Sequence, residues 1–304
     1  MNASWIVFTS LILAQAAPLG SGDHKRTITV DGLKRVHWIH VPKSYDPKKP
    51  MPVVLALHGA LMDAKMMEAF SGLSSAADQH HFIVVYPNGT GPGGIFQTWN
   101  AGVFPGTLNK QRADDVKYIS HVIDDVSSVL NVDKKRIYVA GLSNGGMMAY
   151  RLAAELSDRI AAIAAVGGTL ALEKYEPKRP VPVIHFHGTK DTLVPFNGFE
   201  KKKETPAFMR FRSVDDTIMA CVKANGCNPK PIVTEVDAKE PNLKIIRKEY
   251  VGPKKNGADV VLYEIVGGGH TWPGQWAPAI LGPYTRNFSA NDVMWEFFKQ
   301  HPMK

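Results

Sequence analysis

Five nearly uninterrupted apolar runs, PVVLALHG (52–59), FIVVYPNG (82–89), RIYVAGLS (136–143), IAAIAAVGG (160–168) and VPVIHFHG (181–188), set the strongest limit on how this chain can fold. A strand with one wet face alternates apolar and polar residues, whereas a strand buried on both faces reads as continuous hydrophobicity. Between these runs lie stretches of helical period, MEAFSGLSSAADQ (67–79), DDVKYISHVIDDVSSVL (114–130) and GGMMAYRLAAEL (145–156). Buried strands alternating with amphipathic helices specify an α/β chain with a mostly parallel, doubly wound sheet covered on both faces.

The flanks have a different character. RTITVDGLKRVHWIHVP (26–42) alternates around Asp31-Gly32, a dipeptide suited to a two-residue hairpin turn, so an antiparallel N-terminal edge is expected. Beyond Asp191 the chain is looser. A helix at 213–226, strands at 244–251 and 259–268 and a last helix at 289–300 complete it, and Pro, Gly and Lys between 193 and 211 suggest a short lid or rim. With no repeat or long linker, residues 18–304 are expected to form a single domain.

Residues Trp5 to Leu13 form an apolar stretch too short to span a bilayer, and Ala14-Gln15-Ala16 fits a small-residue cleavage site. Residues 1–17 therefore read as a signal peptide and the protein as secreted or periplasmic, with no membrane attachment after cleavage. The leader lacks a Lys or Arg, and a buried N-terminal strand is the competing reading. The formal charge of +8 is scattered apart from Lys201-Lys202-Lys203 and Lys254-Lys255, with no nucleic-acid-binding signature beside it, so no nucleic-acid partner is expected. Cys221 and Cys227 have neither zinc nor dithiol spacing; a disulfide and two free thiols are both open readings.

The junction of the run at 136–143 with the following helix carries Gly141-Leu142-Ser143-Asn144-Gly145, a G-x-S-x-G pattern between a strand and a helix. A sharp turn there projects a serine hydroxyl above the sheet, and neighbours without side chains let strand and helix approach. A serine needs a histidine to take its proton and a carboxylate to orient that histidine. In this kind of sheet the acid and the base should follow the serine, in that order, at later strand ends. Asp191 follows the strand at 181–188, and His270 follows three glycines after the strand at 259–268. His185 and His187 lie within a strand and are expected to pack beneath the site and hold the acid loop. An anion hole needs two amide donors. Asn144, the residue after the serine, is expected to give one; the His58-Gly59 turn gives the other from Ala60 first, with Leu61 next.

Several motifs occur in order: LALHG (55–59), YPNG (86–89), WNAG (99–102), DDV (114–116), RIYVAGLSNGGMMAYRLA (136–153), HFHGTKDTLVPFNG (185–198) and GGGHTWPG (267–274). On these the chain resembles the secreted α/β-hydrolases of the polyhydroxybutyrate depolymerase-like and feruloyl or acetylxylan esterase-like kind. The resemblance implies Ser143 as nucleophile, Asp191 as acid, His270 as base, and Ala60 with Asn144 as anion hole. Trp99 and Trp272 fall in motifs that shape the family's active-site rim and, with Leu61, are the expected substrate contacts; core or loop packing is the alternative for both tryptophans. Relatives carry cysteines after the WNAG motif and the His-Gly turn, where this chain has Val103-Phe104-Pro105 and Ala60; Phe104 could narrow or line the cleft.

The expected function is a serine carboxylic-ester hydrolase working through an acyl-enzyme, with no metal and no cofactor. Feruloyl or acetyl esters of polysaccharides, or small aryl and alkyl esters, are the expected substrates, with polyhydroxybutyrate oligomers as the alternative. A prolyl-oligopeptidase-like peptidase would need a large cap that 304 residues do not accommodate. A non-catalytic binding module would be expected to lack a triad member. The sequence does not address oligomeric state.

Overall fold

The structure, a computed structural model, describes residues 17–102, 113–199, 212–237, 243–253 and 258–304. Most of the expected signal peptide, Phe104, Lys201–Lys203, Lys254–Lys255 and much of the 193–211 segment lie outside the described residues.

The strands are β1 (Gly22–Val30), β2 (Leu33–Val41), β3 (Met51–Leu57), β4 (Ile83–Pro87), β5 (Val132–Leu142), β6 (Ala162–Val166), β7 (Val183–Gly188), β8 (Ile232–Val236), β9 (Lys244–Tyr250) and β10 (Val260–Val266). They form one sheet in the order β1-β2-β4-β3-β5-β6-β7-β10-β9-β8. The span from β4 to β10 is parallel, and both edges are antiparallel. The hairpin forms as the sequence predicts: Asp31 and Gly32 take φ 50° and 78°, the left-handed pair that matches strand twist in a two-residue turn. The second antiparallel edge, β9 with β8, is an addition. Most of β8 is exposed, so it carries no burial pattern for a sequence reading to detect.

The helices are α1 (Ala64–Ser71), α2 (Leu73–His80), α3 (Asp115–Val129), α4 (Asn144–Glu155), α5 (Val214–Asn225) and α6 (Ala290–Lys299). The periodicity at 67–79 predicts one helix. The structure has two, because Gly72 takes φ 64° and ends α1, its N–H reaching the Glu68 carbonyl. On one face of the sheet, Val53, Leu55 and Leu57 of β3 join a core with Ile119 of α3, Met147 of α4 and Ile218 of α5. On the other, Val54 and Ala56 pack with Met67 of α1, Leu73 of α2 and Phe298 of α6. Alternate residues of one buried strand thus feed two cores, which explains the uninterrupted apolar runs. Asp114 caps α3 by accepting from Lys117 N (2.9 Å), a contact worth about 1 kcal/mol. Cys221 and Cys227 are buried free thiols, and burial pushes both up, Cys227 to about 11. No helix among the described residues is long and apolar enough to cross a membrane.

Candidate active site

The parallel order delivers the carboxyl ends of β3, β5, β6, β7 and β10 to one rim of the sheet, where crevices in such folds bind ligands. Ser143 follows β5 with φ 55° and ψ −119°, a strained conformation for a residue with a side chain. Its N–H donates to Val166 O (2.8 Å) and its carbonyl accepts from Met147 N (3.0 Å), so the strain is held from both sides. The hydroxyl caps no helix N–H and remains available. The neighbouring glycines are required by close approach: a Cβ at Gly141 would lie 2.2 Å from Gly145 O, and one at Gly145 would lie 2.2 Å from Leu57 O.

Asp191 and His270 are brought together directly. His270 Nδ1 lies 2.6 Å from Asp191 Oδ2, with the carboxylate buried. The other oxygen, Oδ1, accepts from Leu193 N (2.9 Å) and Val194 N (2.8 Å). Burial pushes the Asp191 pKa up, but hydrogen bonds from the His187 and His270 rings and their electrostatic attraction for the carboxylate outweigh it, holding the carboxyl well below the usual range. His270 is carried by the glycine turn after β10: Gly269 N donates to Pro283 O (2.8 Å) and His270 N to Leu281 O (2.7 Å). The turn after β6 touches both Ser143 and this pair. Val166 bonds Ser143, while a Cβ at Gly167 would lie 3.1 Å from the His270 ring and 3.5 Å from Asp191.

The two expected anion-hole residues have different anchors. Leu61 N–H donates to Gln97 O (2.8 Å), so that amide is committed elsewhere, and Ala60 stays the expected donor of the turn. Leu61 itself takes φ 66° and is 53 % exposed, so it stands at the rim. Asn144 opens α4, where first-turn amides lack helical acceptors. Its side chain clasps the backbone of Trp99, accepting from Trp99 N (2.7 Å) and donating to Trp99 O (3.2 Å).

The expectation that Trp99 and Trp272 contact substrate is corrected. They are 1 % and 0 % exposed, so both lie beneath the site. Trp99 Nε1 donates to His58 O (2.9 Å) and its ring packs on the His58 ring at 4.8 Å. Trp272 Nε1 donates to Asn291 Oδ1 (2.8 Å), and Asn291 Nδ2 donates to Ser71 O (2.8 Å), tying the His270 loop to α6 and α1.

A role that sequence reasoning missed belongs to the His58 side chain. Its Nδ1–H donates to Gly59 O (2.8 Å) and its Nε2 accepts from Gly89 N–H (2.8 Å), fixing one neutral tautomer. Burial drives its pKa down to about 4, against a partial rise from the Gly59 bond. Asp115, in the DDV motif, is likewise structural: it pairs with Arg35 (2.8 Å) and accepts from Asn100 N (2.7 Å). The exposed Leu61, Ile95, Phe96, Leu193, Trp276 and Ile280 occur in segments that follow β3, β4, β7 and β10.

Residues 46–219 match the model of the phospholipase/carboxylesterase family. NocK of Nocardia uniformis subsp. tsuyamanensis, named as an esterase, is 32 % identical over 284 residues, covering 90 % of this chain and 81 % of that protein. Feruloyl esterase B of Piromyces equi is 32 % identical over 238 residues, 76 % of this chain but 42 % of the fungal enzyme, so the match spans less than half of that relative. Among solved structures, the acetyl xylan esterase from Aspergillus awamori superposes with a TM-score of 0.61 at 16 % identity, covering 91 % of this chain and 99 % of that one, a likeness of fold. With a matching model over more than half its length, the chain belongs to the phospholipase/carboxylesterase family and has the α/β-hydrolase fold.

Proposed function

We propose that this protein is a serine carboxylic-ester hydrolase with Ser143 as nucleophile, His270 as general base and Asp191 as its orienting acid. The observation that carries the reading is the buried Asp191–His270 pair, 2.6 Å apart, beside a serine at φ 55° on a strand-to-helix turn. In the reaction, Ser143 Oγ attacks the ester carbonyl while His270 Nε2 takes its proton, and Asp191 stabilises the resulting imidazolium. The oxyanion forms towards the N–H groups of Ala60 and Asn144, where one donor is worth about 3–4 kcal/mol of transition-state stabilisation. His270 then protonates the leaving alcohol, and a water deprotonated by His270 releases the acid.

For substrate, the names of the relatives from Piromyces and Aspergillus support feruloyl or acetyl esters of polysaccharides. The exposed apolar residues Leu61, Phe96 and Trp276 on loops following the strands suit an aromatic acyl group. Polyhydroxybutyrate oligomers are the alternative, and the leader at residues 1–17 supports a secreted or periplasmic enzyme whose catalytic domain is 18–304.

The test is hydrolysis of p-nitrophenyl acetate and butyrate by the mature chain and by Ser143→Ala. A fall in kcat of about 10⁴-fold or more is expected, on the scale of other serine hydrolases that lose the nucleophile. Equal turnover by the two proteins would refute the assignment. Methyl ferulate, acetylated xylan and hydroxybutyrate oligomers, assayed side by side, separate the substrate classes.

A further inference from the structure

Strand β7 places His185 and His187 on the same face, within the core packed under α4 and α5, where aliphatic side chains would cost less. Both rings are buried, and each nitrogen has a partner: Tyr150 OH to His185 Nδ1 at 2.7 Å, His185 Nε2 to His187 Nδ1 at 3.0 Å, and His187 Nε2 to Val194 O at 2.8 Å. His187 Nε2 is also 3.4 Å from Asp191 Oδ2. The two rings are stacked with planes 7° apart, and Phe196 stands edge-on to His187.

With both rings neutral, the far end of this chain fixes the direction of every bond in it. Val194 O can only accept, so His187 carries its proton on Nε2. In a neutral ring Nδ1 must then accept, so His185 donates from Nε2; His185 Nδ1 accepts in turn, and Tyr150 donates its hydroxyl. Reversing the chain would aim a bare ring nitrogen at a carbonyl oxygen and a carboxylate. Burial and the neighbouring His187 hold the His185 pKa well below the usual imidazole range, which favours the neutral ring this order needs.

We propose that His187 is a positioning residue for ester hydrolysis, and that the one-way sequence Tyr150 to His185 to His187 keeps its Nε2 proton turned to the acid loop. This rests on the triad assigned above. The His187 proton closes the 191–194 turn through Val194 O, and that turn supplies the Leu193 and Val194 amides to Asp191 Oδ1. Asp191 Oδ2 is thereby left in a fixed orientation for His270.

The test uses the mature chain, with kcat expressed per Ser143 titrated by a fluorophosphonate probe. His187→Leu should lower kcat about ten- to a hundredfold with KM changed less than about twofold, as expected for a misplaced catalytic group. His187→Gln retains an N–H near the Nε2 position and should recover most of the loss. Tyr150→Phe should cost several-fold in the wild-type background by releasing the tautomer, and nothing further in His187→Gln, because an amide has no tautomer to lose. Unchanged kcat per titrated site in His187→Leu would overturn the proposal. So would a Tyr150→Phe loss that persists in full in His187→Gln, and that comparison decides the matter even where His187→Leu does not fold. A wild-type chain that neither labels at Ser143 nor hydrolyses esters refutes the triad itself, a distinguishable failure.

Discussion

Acidification should destabilise this protein through His58 before its buried carboxylates contribute. The His58 ring is buried, donates from Nδ1 to Gly59 O and accepts at Nε2 from Gly89 N–H, so a second ring proton would face the Gly89 amide hydrogen, whose nitrogen lies 2.8 Å from Nε2. Burial is the larger influence and lowers the pKa from 6.5 to about 4. The unfolded chain therefore takes up this proton first as the pH falls. Stability is intact above the unfolded value, declines between pH 6.5 and about 4, and then loses nothing more through this group. Roughly 2.5 pH units at about 1.4 kcal/mol each give a total of about 3–4 kcal/mol, of which about 2 kcal/mol is lost by pH 5. Asp125 and Asp191, both held below the carboxylate range, lose their contribution only as the pH falls past the unfolded value of 3.8, outside this window. His185 acts in the same direction as His58 and is common to both proteins compared. The assay is urea unfolding of wild type and His58→Gln at pH 7.0, 6.0, 5.0 and 4.5. Wild type should lose about 2 kcal/mol more than the variant between pH 7 and 5. Parallel curves would show that His58 titrates normally and that its bonding does not fix a neutral ring.

Two further perturbations address the walls of the site. Gly145→Ala places a Cβ 2.2 Å from Leu57 O and 2.6 Å from His58 O, both backbone atoms, so a loss of about 3 kcal/mol in unfolding free energy and a fall in esterase rate are expected; a variant with wild-type Tm and kcat would contradict the packing at the turn. Trp99→Phe keeps the buried ring but removes the bond to His58 O (2.9 Å); a stability loss of about 1 kcal/mol with a several-fold drop in kcat is expected, checked by urea unfolding and p-nitrophenyl acetate hydrolysis.

The central sheet was legible because its strands are buried on both faces, and continuous hydrophobicity records that directly. The hairpin at Asp31-Gly32 was legible because its turn demands two left-handed residues. By the same logic β8 was not: Ile232 and Val233 are 56 % and 60 % exposed and the strand is held by backbone pairing with β9, which any side chains could accompany. The break between α1 and α2 turns on one glycine conformation, and apolar residues recur on both sides of it. The Asp191–His270 pair and the Ser143 turn were readable because each residue follows a recognisable strand. Trp99 and Trp272 were misplaced because a large aromatic beside a catalytic motif looks the same in sequence whether it meets ligand or fills the floor.

The misplacement has a physical explanation that also accounts for the density of motifs. An oxyanion is met by peptide N–H groups, which every residue but proline possesses, so the sequence cannot encode those donors directly. It can encode the side chains that hold them in place. Gly89 of YPNG anchors the His58 ring, His58 O receives Trp99 of WNAG, and the Trp99 backbone is clasped by Asn144, whose own amide opens α4. Asp115 of DDV fixes Asn100 and is neutralised by Arg35, which also bonds Asn88 O. Five motifs remote in sequence thus interlock around the His58-Gly59 turn and the start of α4, which carry the two amides proposed as the anion hole, those of Ala60 and Asn144. Preorganised donors contribute to catalysis because they need not reorganise as charge develops, and a single loose brace would restore that cost. On the proposed mechanism the long motifs therefore specify the rigidity of the anion hole, while the exposed side chains of Leu61, Phe96 and Trp276 stand outside that bracing and are where substrate preference can vary without disturbing the chemistry.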